Sequence, residues 1–170
     1  MRAQVYNMYM QCGSNKQVMM FSATLSQKTK DICRMYMKDP KELFVDDDSK
    51  LTLHGLKQYY VKLEEAQKIR KLIQLLDDLD FNQVIIFTKS QEYAKKLNEI
   101  INKEGFPSKT CFRSMEQTER IKVYNQFKEG KFRIMISTDL FGRGINIEKI
   151  NVVINFDMPN VSEQYVHRIG

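Results

Sequence analysis

Apolar residues fall along this chain in two rhythms. Unbroken runs such as Val18-Met19-Met20-Phe21, Val84-Ile85-Ile86-Phe87 and Ile134-Met135-Ile136 have the pattern of strands buried on both faces. Between them, apolar side chains recur three and four residues apart, which places them on one face of a helix. The pattern predicts a short helix over 3–11 ending near Gly13, and a strand over 18–21. A helix capped by Ser26 then runs to about Lys38, with Pro40 beyond its stop, before a strand over 42–45. After a polar stretch, Gln58-Tyr59-Tyr60-Val61-Lys62-Leu63 reads as a strand. Residues 64–79 read as a helix with Ile69, Leu72, Ile73, Leu76 and Leu79 inward. Strand 84–87 follows, then a helix capped by Ser90 that carries Tyr93, Leu97, Ile100 and Ile101 inward to about Lys103, with Gly105 ending it. Strand 109–112, a helix over about 116–129 with Ile121, Tyr124 and Phe127 inward, strands 133–137 and 151–155, and a helix from near Ser162 complete the series. Strands alternating with helices over such distances imply parallel βαβ units joined by right-handed crossovers.

Composition narrows this picture only a little. The 170 residues make one domain, or one domain with a piece of another. With 42% hydrophobic and 28% charged residues they can bury a real core. Lys and Arg number 27 against 21 Asp and Glu, and the net charge of +6 suits an anionic partner such as RNA or a nucleotide. Cys12, Cys33 and Cys111 have no metal-ligand spacing and read as three small buried hydrophobes in a reducing compartment. His54 and His167 are too separated for a metal cluster, so no metal ligand is expected, and Asp46-Asp47-Asp48 reads as a solvated bend. No apolar run approaches the ~18 residues of a membrane span, and the first residues lack a signal peptide's hydrophobic block.

The chemistry gathers where apolar runs end in polar residues. Four such ends occur: Ser22-Ala23-Thr24, Thr88-Lys89-Ser90, Ser137-Thr138-Asp139 and Asp157. Each by itself is an ordinary cap or turn. In a parallel sheet, however, the last three open on one edge, where ligands of open α/β sheets bind. Together with Arg113, Arg120, Arg143 and Arg168 they predict an electropositive shelf suited to a phosphodiester backbone. The turn Gly142-Arg143-Gly144 lets backbone N–H groups approach a ligand closely. No ladder of aromatic residues interleaves with these cations, so contacts to backbone rather than to bases are expected. The chain contains no Gly-x-x-x-x-Gly-Lys-Ser/Thr loop and no Asp-Glu pair at a strand end to hold Mg2+. It supplies at most half of a shared nucleotide site.

Ser22-Ala23-Thr24, Gln117 with Arg120, Ser137-Thr138-Asp139 with Arg143-Gly144, Ile154-Asn155-Phe156-Asp157-Met158-Pro159, and His167-Arg168-Ile169-Gly170 occur in that order. The series resembles the C-terminal half of DEAD-box RNA helicases. Residues 51–63 and Phe141-Gly142-Arg143-Gly144 resemble the nuclear branch that serves pre-mRNA splicing and mRNA export. The resemblance implies an α/β fold: a RecA-like parallel sheet, of the P-loop NTPase type, with helices on both faces. Residues 1–45 would be the tail of a first RecA-like domain, 46–56 the linker, and 57–170 most of a second. It implies an ATP-dependent RNA helicase, with ATP and Mg2+ bound mainly by the first domain. Its partners would be RNA and mRNA-export and spliceosomal proteins, in the nucleus. Ser22, Thr24 and Asp139 would couple nucleotide state to domain closure. Thr88, Lys89, Arg113, Gln117, Arg120, Thr138, Arg143 and Gly144 would contact RNA. Gly144, Asn146 and Arg168 would contact the nucleotide, and His167 and Arg168 would serve catalysis. Asn146 stands where the family has Asp, which weakens a ribose contact. Phe112 and Ser114 stand where the branch usually has His and Gly. The chain stops before the family's further arginines, so these residues alone are expected not to hydrolyse ATP. An alternative reading is a non-catalytic RecA-like module that binds RNA or docks a protein. A dinucleotide enzyme is a third, for which Gly142-Arg143-Gly144 provides too short a glycine motif.

Overall fold

The computed structural model describes residues 2–22, 27–44, 55–138 and 147–169. The chain divides into two compact units, Met1–Thr52 and Leu53–Gly170.

The first unit contains α1 (Arg2–Gln11) and α2 (Gln27–Tyr36). Tyr36 packs edge-on against Tyr9, with ring centroids 5.0 Å apart, and against Tyr6 at 6.4 Å. Arg34 closes a fork on Glu42, Nε to Oε1 at 2.6 Å and Nη2 to Oε2 at 2.9 Å. That hydrogen bond holds the Glu42 carboxyl below its ordinary range and raises Arg34. The expected strand at 18–21 does not form: Met19 and Phe21 are exposed and the segment is irregular. Residues 42–44 of the expected strand 42–45 are likewise irregular and exposed. An apolar run becomes a strand only when its N–H and C=O groups meet a neighbour, and neither run has one among the described residues.

The second unit is built on four parallel strands, β1 (Gln83–Phe87), β2 (Ser108–Cys111), β3 (Ile134–Ser137) and β4 (Ile150–Asn155), in the order β2-β3-β1-β4. The 58–63 stretch, expected as a further strand, is unpaired, with Tyr59 and Tyr60 exposed. A single 3₁₀ turn, Glu65–Gln67, held by a capping box between Glu64 and Gln67, leads into α3 (Lys68–Asp78). Helix α4 (Gln91–Lys103) starts at Ser90, whose Oγ accepts from the Tyr93 N–H at 3.1 Å. Gly105, at φ +89°, reverses the chain after α4 in the left-handed region that glycine enters without strain. Asn102 then ties the start of β2 to the helix, exchanging hydrogen bonds with Ser108. Helices α5 (Gln117–Lys128) and α6 (Ser162–Ile169) follow among the described residues.

Alternation along the strands splits the core in two. Val84, Ile86, Ile134 and Ile136 pack with Leu72 and Leu76 of α3 and Ala94, Leu97 and Ile101 of α4. Ile85, Phe87 and Met135 pack on the other side with Val123 and Phe127 of α5 and with Phe132 and Ile147. Both faces are covered, as a parallel sheet requires. Within α5 the inward positions are Val123 and Phe127, and Ile121 is half exposed. Leu79 has slipped outward because α3 ends at Asp78. Of the three cysteines, Cys111 is buried while Cys12 is exposed on the first unit.

Phe127 is fully buried, its ring 5.2 Å from that of Phe132. Truncating it to Ala is expected to cost about 3–5 kcal/mol, read as a lower midpoint in chemical denaturation. Burial pushes the Cys111 thiol up to about 12. It therefore stays protonated at pH 8, and a thiol reagent should label Cys12 in the native protein but Cys111 only after unfolding.

Candidate functional site

The strand registers align the carboxyl ends of the sheet. Phe87 of β1 lies opposite both Ser137 of β3 and Asn155 of β4, and Ser137 lies opposite Cys111 of β2. The next residue of each strand, Thr88, Thr138, Phe156 and Phe112, therefore falls on a single rim. The loop leaving β1 feeds α4 on one face and the loop leaving β2 feeds α5 on the other. Loops that part to opposite faces open a crevice at this edge.

The rim is knitted by hydrogen bonds beyond the ladder. The Thr88 N–H donates to the Ser137 carbonyl at 2.9 Å and the Asp157 N–H to the Phe87 carbonyl at 3.2 Å. The Thr88 hydroxyl, fully buried, donates to the carbonyls of Ser90 at 3.2 Å and Ser137 at 3.5 Å. Ser137 Oγ donates to the Cys111 carbonyl at 2.6 Å and to that of Thr138 at 3.0 Å.

Among the described residues two charges are buried here, Asp157 and Arg168. An unpaired charge in such a place costs several kcal/mol or more, and each has partners. Asp157 Oδ2 accepts from the Lys89 N–H at 2.9 Å and Oδ1 from Lys68 Nζ at 3.0 Å. Arg168 Nη1 donates to the Asp157 carbonyl at 2.7 Å and to Asn155 Oδ1 at 2.9 Å, with its guanidinium 4.9 Å from the Phe87 ring centroid. Lys68 also meets Glu65 Oε2 at 2.8 Å and lies 5.3 Å from the Phe156 ring centroid. The Glu65 hydrogen bond is the largest cause holding the Lys68 ammonium above its ordinary range, against desolvation, with Asp157 adding to it. Tyr93, stacked obliquely on Phe156 at 5.4 Å, is raised first by burial and then by the Glu65 and Asp157 charges.

Beyond β2 the rim carries exposed cations. Arg113 is exposed, and its carbonyl accepts from Arg120 Nη1 at 3.4 Å. Gln117 opens α5 and Arg120 stands one turn along, so both lie at the helix end nearest the rim, where backbone N–H groups favour an anion. Ser114 Oγ bonds Gln91 Oε1 and ties this loop to the start of α4.

Of the residues expected to act, the structure brings Thr88, Lys89, Thr138, Arg113, Gln117, Arg120 and Arg168 to one edge of the second unit. Lys89 and Arg113 present side chains to solvent, Thr138 is half-buried, and the Thr88 hydroxyl and Arg168 are turned inward. His167 sits half-buried on the last turn of α6. Ser22 is exposed on the first unit. Thr24, Asp139, Arg143, Gly144 and Asn146 lie outside the described residues, as does the stretch 46–54 of the expected linker. Within the nucleotide set, Arg168 is the described residue, and its Nη1 engages Asn155 and Asp157. Among the described residues no group of three or more His, Cys, Asp or Glu gathers as a metal site, and no helix is long and apolar enough to cross a membrane. Sequence reasoning passed over Lys68. It lies 89 positions before Asp157, and nothing local marks a lysine at a helix start as a partner for a strand end.

The model of the helicase conserved C-terminal domain matches residues 67–170. Over all 170 residues the chain is 56% identical to the ATP-dependent RNA helicase SUB2 of Kluyveromyces lactis, of which it covers 39%. It is 55% identical to the Saccharomyces cerevisiae protein of that name, covering 38%. It thus spans about two fifths of the length of these relatives. Among solved structures, S. cerevisiae Dbp5 bound to RNA and ADP BeF3 superposes with a TM-score of 0.90 at 24% identity, over 98% of this chain and 44% of that one, a likeness of fold. A DEAD box protein from the hyperthermophile Methanococcus jannaschii matches at a TM-score of 0.64 and 29% identity, over 98% of this chain and 44% of that one. The four-stranded parallel sheet covered by helices on both faces is the RecA-like fold of these neighbours. With the family model spanning the strands, the rim and the helix that carries Arg168, the chain belongs to the helicase conserved C-terminal domain family.

Proposed function

We propose that this chain is the second RecA-like half of an ATP-dependent RNA helicase, joined by residues 46–56 to the tail of the first. Its rim grips the backbone of single-stranded RNA through Lys89, Arg113, Gln117, Arg120, Thr138, Arg143 and Gly144, with Thr88 shaping the loop beneath them. Ser22, Thr24 and Asp139 link ATP state to closure of the two halves. His167 and Arg168 serve the catalytic face, and Gly144, Asn146 and Arg168 contact the nucleotide. ATP with Mg2+, held mainly by the first half, supplies the free energy that separates a strained, bent strand from its complement. The setting is pre-mRNA splicing and mRNA export in the nucleus, with RNA and the proteins of those assemblies as partners. This setting rests on the likeness of residues 51–63 to that branch and on whole-chain identity to SUB2 helicases. One observation carries the RNA reading. Level strand ends and the start of α5 bring Lys89, Arg113 and Arg120 to one edge, with the buried anion Asp157 held beneath them.

The protein containing this chain together with a complete first half should hydrolyse ATP faster when RNA is added, and an ATPase indifferent to RNA would falsify the reading. Arg120→Ala in that protein should raise the RNA concentration for half-maximal stimulation about fivefold, the scale of one exposed charged contact. Residues 1–170 alone should show no multiple turnover of ATP, since they contain neither a phosphate loop nor an Asp-Glu pair at a strand end.

A further inference from the structure

The Lys68–Asp157 pair has no part in gripping RNA as described above, yet it sits directly beneath the loop that does. Asp157 carries one carboxylate, and its two oxygens serve different elements: Oδ2 holds the Lys89 N–H at 2.9 Å and Oδ1 holds Lys68 of α3 at 3.0 Å. The same residue's backbone closes the remaining sides. Its N–H donates to the Phe87 carbonyl at 3.2 Å, and its own carbonyl receives Arg168 of α6 at 2.7 Å. Three separate stretches, Lys68, Phe87–Lys89 and Arg168, thus meet on the one buried residue Asp157.

The consequence for Lys89 is specific. Its side chain is exposed while its backbone N–H is fixed, so the Asp157 carboxylate sets the point on the rim from which the side chain extends. That carboxylate is in turn oriented by Lys68, which Glu65 at 2.8 Å and the Phe156 ring keep from swinging away. The N–H of Lys89 alone would leave a carboxylate 7% exposed with one oxygen lacking its cation. Lys68 supplies that cation from a helix otherwise devoted to the core.

We propose that Asp157 and Lys68 are positioning residues for the RNA contact of Lys89, with the carboxylate bridging from the ammonium of α3 to the N–H of the loop after β1. The proposal rests on the RNA reading above and deepens it. Asp157 and Lys68 touch no phosphate themselves. They set where the Lys89 ammonium stands.

The test uses the two-lobed protein containing this chain, a fluorescent single-stranded oligouridylate, and a non-hydrolysable ATP analogue, with Kd measured across a salt series. Lys89→Ala should weaken binding about fivefold and flatten the slope of log Kd against log salt by about 0.7, the share of one phosphate contact on a single strand. Asp157→Asn and Lys68→Met should each reproduce most of both effects, and Lys68→Arg should restore them. In the Asp157→Asn background, Lys89→Ala should add little further loss, because the backbone that carries Lys89 is already loosened. Lys68 is part-exposed at the helix start, so Lys68→Met keeps the test decisive if Asp157→Asn fails to fold. A wild-type salt slope in both Asp157→Asn and Lys68→Met, or losses that simply multiply with that of Lys89→Ala, overturns the positioning role and leaves the RNA reading standing. Wild-type affinity in Lys89→Ala alone overturns the loop's RNA contact and the positioning role with it.

Discussion

The parallel pairing of β1 with β3 on one side and β4 on the other is the constraint on which everything else in the second unit depends. Phe87 opposite both Ser137 and Asn155 brings the strand ends level, and level ends make a rim. The pairing is held in place by the two cores. Val84 and Ile86 face α3 and α4 while Ile85 and Phe87 face α5. A slip of one residue would send each set to the other helices and place Phe87 where Ile86 is enclosed. Each of these side chains contributes roughly 1.5–3 kcal/mol by burial, so misplacing several outweighs anything the polar rim could return. The apolar interior thereby decides where the polar groups stand.

At the rim the charges divide by burial. Asp157 and Arg168 are inside, and each is tied to several neighbours, so they act as fixed points of the framework. Lys89 and Arg113 are outside, where water screens them and a surface ion pair is worth at most about 1 kcal/mol. Side chains with so little to hold them at home remain available to an anion that arrives. The buried set shapes the edge and the exposed set faces water, and Lys89 belongs to both through its backbone and its side chain.

The first unit shows the other side of the same physics. Met19, Phe21, Leu43 and Phe44 are apolar and exposed. Their runs have the composition of buried strands without neighbours to bury them among the described residues.

The sequence by itself determined the helices and the inner strands of the second unit. Periodicity, the Ser90 cap and the glycine at the end of α4 are local, and local free energies settle them. It also determined the family, through ordered motifs that span the chain. Where it missed, the deciding partner was distant. Residues 18–21 and 58–63 have the composition of strands, yet hydrogen bonds to a neighbour make a strand. Ile121 was placed inward by spacing alone, while α5 turns Val123 and Phe127 to the sheet. The order β2-β3-β1-β4, the inward turn of Thr88 and Arg168, and the bridge from Lys68 to Asp157 belong to tertiary structure. The bridge joins residues 89 apart, and no local preference in a chain specifies which lysine will stand 3.0 Å from which carboxylate. That is settled when two cores pack against one sheet and bring a lysine of α3 up to a buried carboxylate.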